Sequence, residues 1–127
     1  MTGESILIID DNPINLKLFK VLLNTQGYDV KEAINALDAL SILETFKPNL
    51  ILMDWQLPGM DGLALTQKLK ADPKFKHILI LIISAFAMKG DEGKAFAAGC
   101  NGYMSKPINP QALLSLIQDF LDKDKKG

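Results

Sequence analysis

Two spacings of apolar residues alternate along this chain. Ile6-Leu7-Ile8-Ile9, Leu50-Ile51-Leu52-Met53 and Ile78-Leu79-Ile80-Leu81-Ile82-Ile83 are unbroken apolar runs, and between them apolar residues return every third or fourth position. Unbroken runs of this length predict strands buried on both faces, whereas the wider spacing predicts amphipathic helices. The runs end on polar groups: the first on Asp10-Asp11, the second on Asp54 before Pro58-Gly59, the third on Ser84-Ala85.

The remaining elements follow in order. Asn12-Pro13 predicts a helix start, since Asn caps free N–H groups and Pro is tolerated in the first turn; Ile14, Leu18, Phe19, Leu22 and Leu23 carry its stripe until Gly27 stops it. Tyr28 to Ala33 alternates, which predicts an edge strand with one wet face. Asn35 caps a second helix with Ala36, Ala39, Leu40 and Leu43 on one side, ending before Pro48. Asp61 caps a third, carrying Leu65 and Leu69, that Asp72-Pro73 ends. Residues 88–98 predict a fourth helix, weak because of Gly90, Gly93 and an alanine-rich apolar face, with Gly99 beyond it. Gly102-Tyr103-Met104-Ser105 is a short strand leading to Lys106-Pro107. Asn109-Pro110 starts a last helix with Leu113, Leu114, Ile117, Phe120 and Leu121 inward, after which 122–127 reads as a frayed polar tail.

Strands alternating with helices imply right-handed crossovers and a doubly wound parallel sheet with helices on both faces. At 127 residues the chain is expected to form a single domain over 1–127. Its 14 basic and 15 acidic residues, net charge -1, provide no basic field for nucleic acid and no polybasic patch for a membrane surface. The lone Cys100 excludes an internal disulfide, no apolar run reaches membrane-spanning length, and nothing at the N-terminus resembles a signal segment, so a cytoplasmic setting is expected.

In an open parallel sheet, ligands collect outside the carboxyl ends of the strands. That edge is predicted to bring together Asp10, Asp11, Asp54, Ser84 and Lys106. Clustered carboxylates raise one another's pKa unless a cation compensates, and Mg2+ suits an all-oxygen set completed by a phosphate.

Asp10-Asp11, Asp54 with Leu57-Pro58-Gly59-Met60-Asp61-Gly62, Ser84-Ala85, and Tyr103-Met104-Ser105-Lys106-Pro107 together resemble the receiver domain of two-component response regulators over residues 5–122. Residues 85–92 and 104–108 resemble the stand-alone, DivK-type members. The resemblance implies the flavodoxin-like (βα)5 three-layer sandwich with strand order 2-1-3-4-5 and a cis Lys106-Pro107 bond. It also implies Asp54 as phosphoacceptor and Mg2+ (or Mn2+) held by Asp11, Asp54 and the Gln56 backbone carbonyl, with Asp10 acting through water. Lys106 and Ser84 would contact the phosphoryl group, and Tyr103 would turn inward behind Ser84. The donor would be a sensor histidine kinase or a histidine phosphotransfer protein and the listener a downstream protein effector. A monomer, or a weak dimer dependent on phosphorylation, is expected.

Gln56 and Phe86, each two residues beyond a site residue, are expected to flank the phosphoryl group and tune its lifetime. Such a protein is a switch rather than an enzyme on foreign substrates. The rival reading, an aspartyl-phosphate phosphatase, typically carries a second Asp two residues after the nucleophile, where this chain has Gln56. A flavin-binding module lacks support because no hydroxyl- and glycine-rich loop follows the first strand. Taken singly, Asp10-Asp11 could be a helix N-terminal charge pair, Ser84 a loop cap and Tyr103 half-buried packing. His77 reads as an exposed loop residue, Cys100 as a small hydrophobe, Asp61 as a helix cap and Asp72 as a turn residue.

Overall fold

The computed structural model describes residues 3–85 and 90–126. Five strands, β1 (Ser5–Ile9), β2 (Asp29–Ala33), β3 (Leu50–Asp54), β4 (Leu79–Ser84) and β5 (Gly102–Ser105), alternate with five helices. These are α1 (Pro13–Asn24), α2 (Ala36–Leu43), α3 (Gly62–Lys70), α4 (Asp91–Ala97) and α5 (Pro110–Lys126). The strands form one sheet in the order β2-β1-β3-β4-β5, every pair parallel. The pattern of strands and helices predicted the doubly wound parallel sheet, and the order is the one that the family resemblance implied.

Side-chain alternation along each strand divides the core in two. Leu7, Ile9, Ile51, Met53, Ile80 and Ile82 face α2, α3 and α4, where they meet Ala39, Leu43, Leu65, Leu69 and Ala95. Ile6, Ile8, Leu50, Leu52, Leu81 and Ile83 face α1 and α5, where they meet Leu16, Leu23, Leu113 and Ile117. Every residue of β3 is buried, because both layers close over it. β2 is the wet edge that its alternation predicted, with Asp29 and Lys31 exposed and Val30 and Ala33 buried.

Capping follows the local sequence. Asn12 Oδ1 accepts from the Ile14 N–H at 2.9 Å, Asn35 Oδ1 from the Asp38 N–H at 2.8 Å, and Asp61 Oδ1 from the Ala64 N–H at 2.9 Å. Two helix boundaries differ from expectation. α4 runs only from Asp91 to Ala97, and its N-cap, Gly90, offers no side-chain acceptor; Met88 and Lys89 of the expected helix lie outside the described residues. The polar residues after Leu121, expected as a tail, continue α5 to Lys126. Hydrophobic periodicity stops at Leu121, but backbone hydrogen bonding, once nucleated, propagates through residues with good helix propensity such as lysine.

Candidate functional site

The site is assembled from strand ends. Hydrogen-bond register places Ile9 beside Met53 and Asp54 beside Ile83, so the residues leaving β1, β3 and β4 emerge at one edge. There, carboxylate oxygens of Asp10, Asp11 and Asp54 all lie within 4.8 Å of one another. Asp11 is exposed, whereas Asp10 is 2 % and Asp54 6 % exposed, so two of the three acids have lost most of their water.

Local turns aim each group. The Asp10 N–H donates to the Ala33 carbonyl at 3.1 Å, tying the end of β1 to β2. Beyond Asp54, the Trp55 N–H donates to the Ile83 carbonyl at 2.9 Å and the Gly62 N–H to the Trp55 carbonyl at 2.8 Å, so the loop after β3 folds back on the end of that strand. Only glycine fits at position 62: a Cβ there would lie 2.5 Å from the Asp54 backbone oxygen and 2.9 Å from Trp55 Cα. From β5, the Lys106 N–H donates to the Ser84 carbonyl at 2.8 Å, and the Lys106 Nζ stands 3.7 Å from Asp54 Oδ1, an ion pair without hydrogen-bond contact. The Lys106-Pro107 bond is cis.

These distances set the electrostatics. Burial, followed by the Asp10 charge, pushes the Asp54 carboxyl up to about 6; Lys106 and the Gln56 N–H, 3.3 Å from Asp54 Oδ1, oppose the rise, and Asp11 adds to it. A buried carboxylate crowded by two others takes up a proton or recruits a cation. Three carboxylates in reach of one point form a hard, all-oxygen donor set that fits Mg2+.

Of the remaining expected residues, Ser84 and Tyr103 lie on the neighbouring strands β4 and β5. Ser84 is fully buried at the end of β4. Tyr103 is half-buried on β5 and meets Trp55 edge to face, ring centroids 6.3 Å apart at 80°. Gln56 is exposed beside Asp54, and Phe86 lies outside the described residues. His77 is exposed and Cys100 buried, its thiol pushed up to about 11 first by burial.

Two features were not anticipated from the sequence. The Asn15 side chain donates to Asp10 Oδ2 at 3.2 Å; its place on the first turn of α1, four residues after Asp11, was the available signal. Beside the acids, an open groove of about 620 Å³ runs between α1 and residues 106–110, lined chiefly by Leu18, Phe19, Leu22, Pro107 and Ile108, with Lys106 shared between groove and site.

Residues 6–118 match the family model of the response regulator receiver domain. The chain is 42 % identical over 118 residues to the polar-differentiation response regulator DivK of Brucella anthropi, covering 93 % of this chain and 96 % of that protein. A CheY-like receiver domain protein from Methanospirillum hungatei superposes with a TM-score of 0.90 at 31 % identity over 98 % of both chains. The receiver domain of a sensor histidine kinase from Pseudomonas aeruginosa, solved with magnesium coordinated in its active-site cleft, superposes with a TM-score of 0.83 at 30 % identity, covering 93 % of this chain and 97 % of that one. A family match across most of the chain, joined to a relative this similar over nearly all of both proteins, means that this chain belongs to the response regulator receiver domains, of the DivK type.

Proposed function

We propose that the protein is a single-domain response regulator that accepts a phosphoryl group on Asp54 from a histidine kinase or a histidine phosphotransfer protein, and signals by reshaping the surface formed by α4, β5 and α5. The observation that carries this reading is the meeting of Asp10, Asp11 and Asp54 within 4.8 Å, with the Lys106 ammonium 3.7 Å from Asp54.

Asp11, Asp54 and the Gln56 backbone carbonyl would hold Mg2+ (or Mn2+), with Asp10 acting through water. When bound, the ion supplies positive charge to the equatorial oxygens of the transferring phosphoryl group. One Asp54 oxygen attacks phosphorus, the P–N bond of the donor phosphohistidine breaks, and the freed imidazole keeps the electron pair; the product is an acyl phosphate. Lys106 neutralises charge on the phosphoryl oxygens. Hydrolysis returns the carboxylate and inorganic phosphate, with Gln56 and Phe86 obstructing the attacking water. The apolar groove beside Lys106 is an approach surface for a protein donor.

Switching follows from magnitudes. A phosphoryl group adds about 1.5 to 2 negative charges and recruits one to three charge-assisted hydrogen bonds. Inverting a 1:99 equilibrium takes about 5.5 kcal/mol, which two or three such bonds at roughly 1.5 to 3 kcal/mol each supply. The Ser84 hydroxyl and the Lys106 ammonium are the donors. Tyr103 then turns inward behind Ser84, and α4, short and without a side-chain N-cap, is the element that yields. The setting is cytoplasmic, in keeping with the absence, among the described residues, of a helix long and apolar enough to cross a membrane.

The test is incubation with acetyl phosphate and Mg2+, comparing wild type with Asp54→Asn on a phosphate-affinity gel, then a pull-down with each form. Labelling of wild type alone is expected, with a partner retained by only one form. Equal labelling of both proteins, or steady turnover of a foreign phosphomonoester, would refute it.

A further inference from the structure

Asp10 is a buried acid whose two oxygens are already held. Oδ1 accepts from the Asn12 backbone N–H at 2.9 Å and Oδ2 from the Asn15 side-chain Nδ2 at 3.2 Å. A carboxylate can only accept, so the Asn15 amide must turn its NH2 group toward it. The second contact matters because the torsion that orients a carboxylate plane is broad, and a single donor leaves it free to swing. Two donors on two different oxygens fix the plane. They also replace part of the hydration lost by a group only 2 % exposed.

We propose that Asn15 is a positioning residue of the acidic site: by holding Asp10 Oδ2 it keeps the carboxylates assembled against their mutual repulsion, and so sets the affinity for the divalent cation. This rests on the reading of Asp10, Asp11 and Asp54 as the cation site. The repulsion is real, because the three groups stand within 4.8 Å of one another and the Asp10 charge already raises Asp54. An Asp10 carboxylate released from Asn15 relieves that repulsion by rotating outward, and the cation must then pull it back. Partners in this outer position commonly govern metal affinity by 10- to 100-fold. A half-buried neutral amide belongs at the lower end, about tenfold.

The competing explanation is that Asn15 serves only α1. Asparagine is a poorer helix former than alanine, so if that were its whole task Asn15→Ala would leave the cation site untouched and firm up the helix. Mg2+ binding is followed by Trp55 emission and by calorimetry in wild type, Asn15→Ala and Asn24→Ala, the last the same substitution at an exposed position at the far end of the same helix. Asn15→Ala is expected to raise the Mg2+ Kd about tenfold and Asn24→Ala to leave it within twofold. With acetyl phosphate, the Mg2+ concentration for half-maximal labelling shifts by the same factor and the rate recovers at saturating Mg2+. A Kd for Asn15→Ala within twofold of a responsive wild type, or a labelling rate that stays low at saturating Mg2+, overturns the assignment. A wild-type protein that ignores Mg2+ in every readout overturns the cation-site reading itself, a separate outcome.

Discussion

Replacing Asp54 by Asn tests the electrostatics of the site without any phosphodonor. In the folded protein the Asp54 carboxyl is raised from 3.8 to about 6, chiefly by burial and then by Asp10. Below pH 3.8 the group is protonated in folded and unfolded chains alike and costs nothing. As pH rises from there to about 6 the unfolded chain releases its proton while the folded one retains it, so stability falls; above about 6 the loss is complete. Each tenfold change in proton affinity is about 1.4 kcal/mol, so the full penalty is about 3 kcal/mol. Asn has nearly the same shape and no charge. In EDTA at pH 7.5, Asp54→Asn should therefore be more stable by about 2–3 kcal/mol, and the gain should shrink to about 1 kcal/mol at pH 4.5. Urea unfolding at the two pH values measures this directly. Mg2+ at one hundred times its Kd should return about 2.7 kcal/mol to wild type and little to the variant, closing the gap. A variant no more stable than wild type in EDTA, or a gain that is the same at both pH values, would refute the reasoning.

Other perturbations reach separate parts of the argument. Gly62→Ala forces a methyl group against the Asp54 carbonyl, 2.5 Å away. It should cost about 2–3 kcal/mol in urea unfolding and slow acetyl phosphate labelling. Lys70, on α3, donates to the carbonyls of Lys76 and Ile78 at 3.2 and 2.6 Å and to Asn101 Oδ1 at 3.0 Å, so Lys70→Met should lower stability by about 2 kcal/mol with phosphorylation unchanged. Gln56→Ala and Phe86→Ala should each alter the lifetime of the phosphorylated form, read as loss of the shifted gel band with time; unchanged lifetimes in both would count against the role proposed for these two residues. Cys100 is buried with its thiol pushed up to about 11, so at pH 8 iodoacetamide should modify it far more slowly in native protein than in urea, as mass spectrometry can follow.

Much of this architecture is legible one segment at a time, because burial on both faces of a strand demands an unbroken apolar run and burial of one helix face demands the three-to-four spacing. Ile6–Ile9, Leu50–Met53 and Leu79–Ile83 therefore identify the central strands, and Asn12, Asn35 and Asp61 mark helix starts that their side chains do cap. Even the placement of Asp54 at an opening follows from its position at the end of such a run. The boundaries of α4 and α5 were less readable, since backbone hydrogen bonding carries α5 past its last apolar contact at Leu121.

What only the tertiary structure decided is proximity. Residues 10, 54 and 106 meet because parallel register aligns the ends of neighbouring strands, and no local pattern encodes the 3.7 Å between Lys106 and Asp54 or the Asn15 amide on Asp10. The need for glycine at 62 likewise comes from the folded-back loop. The proton affinity of Asp54 is set by burial and by charges brought from the ends of β1 and β5, and Coulomb energies depend on those distances rather than on sequence separation. Composition and periodicity thus determine which elements form and which side chains leave them at the sheet edge, whereas the chemistry of those side chains exists only once the sheet has closed the gaps between them.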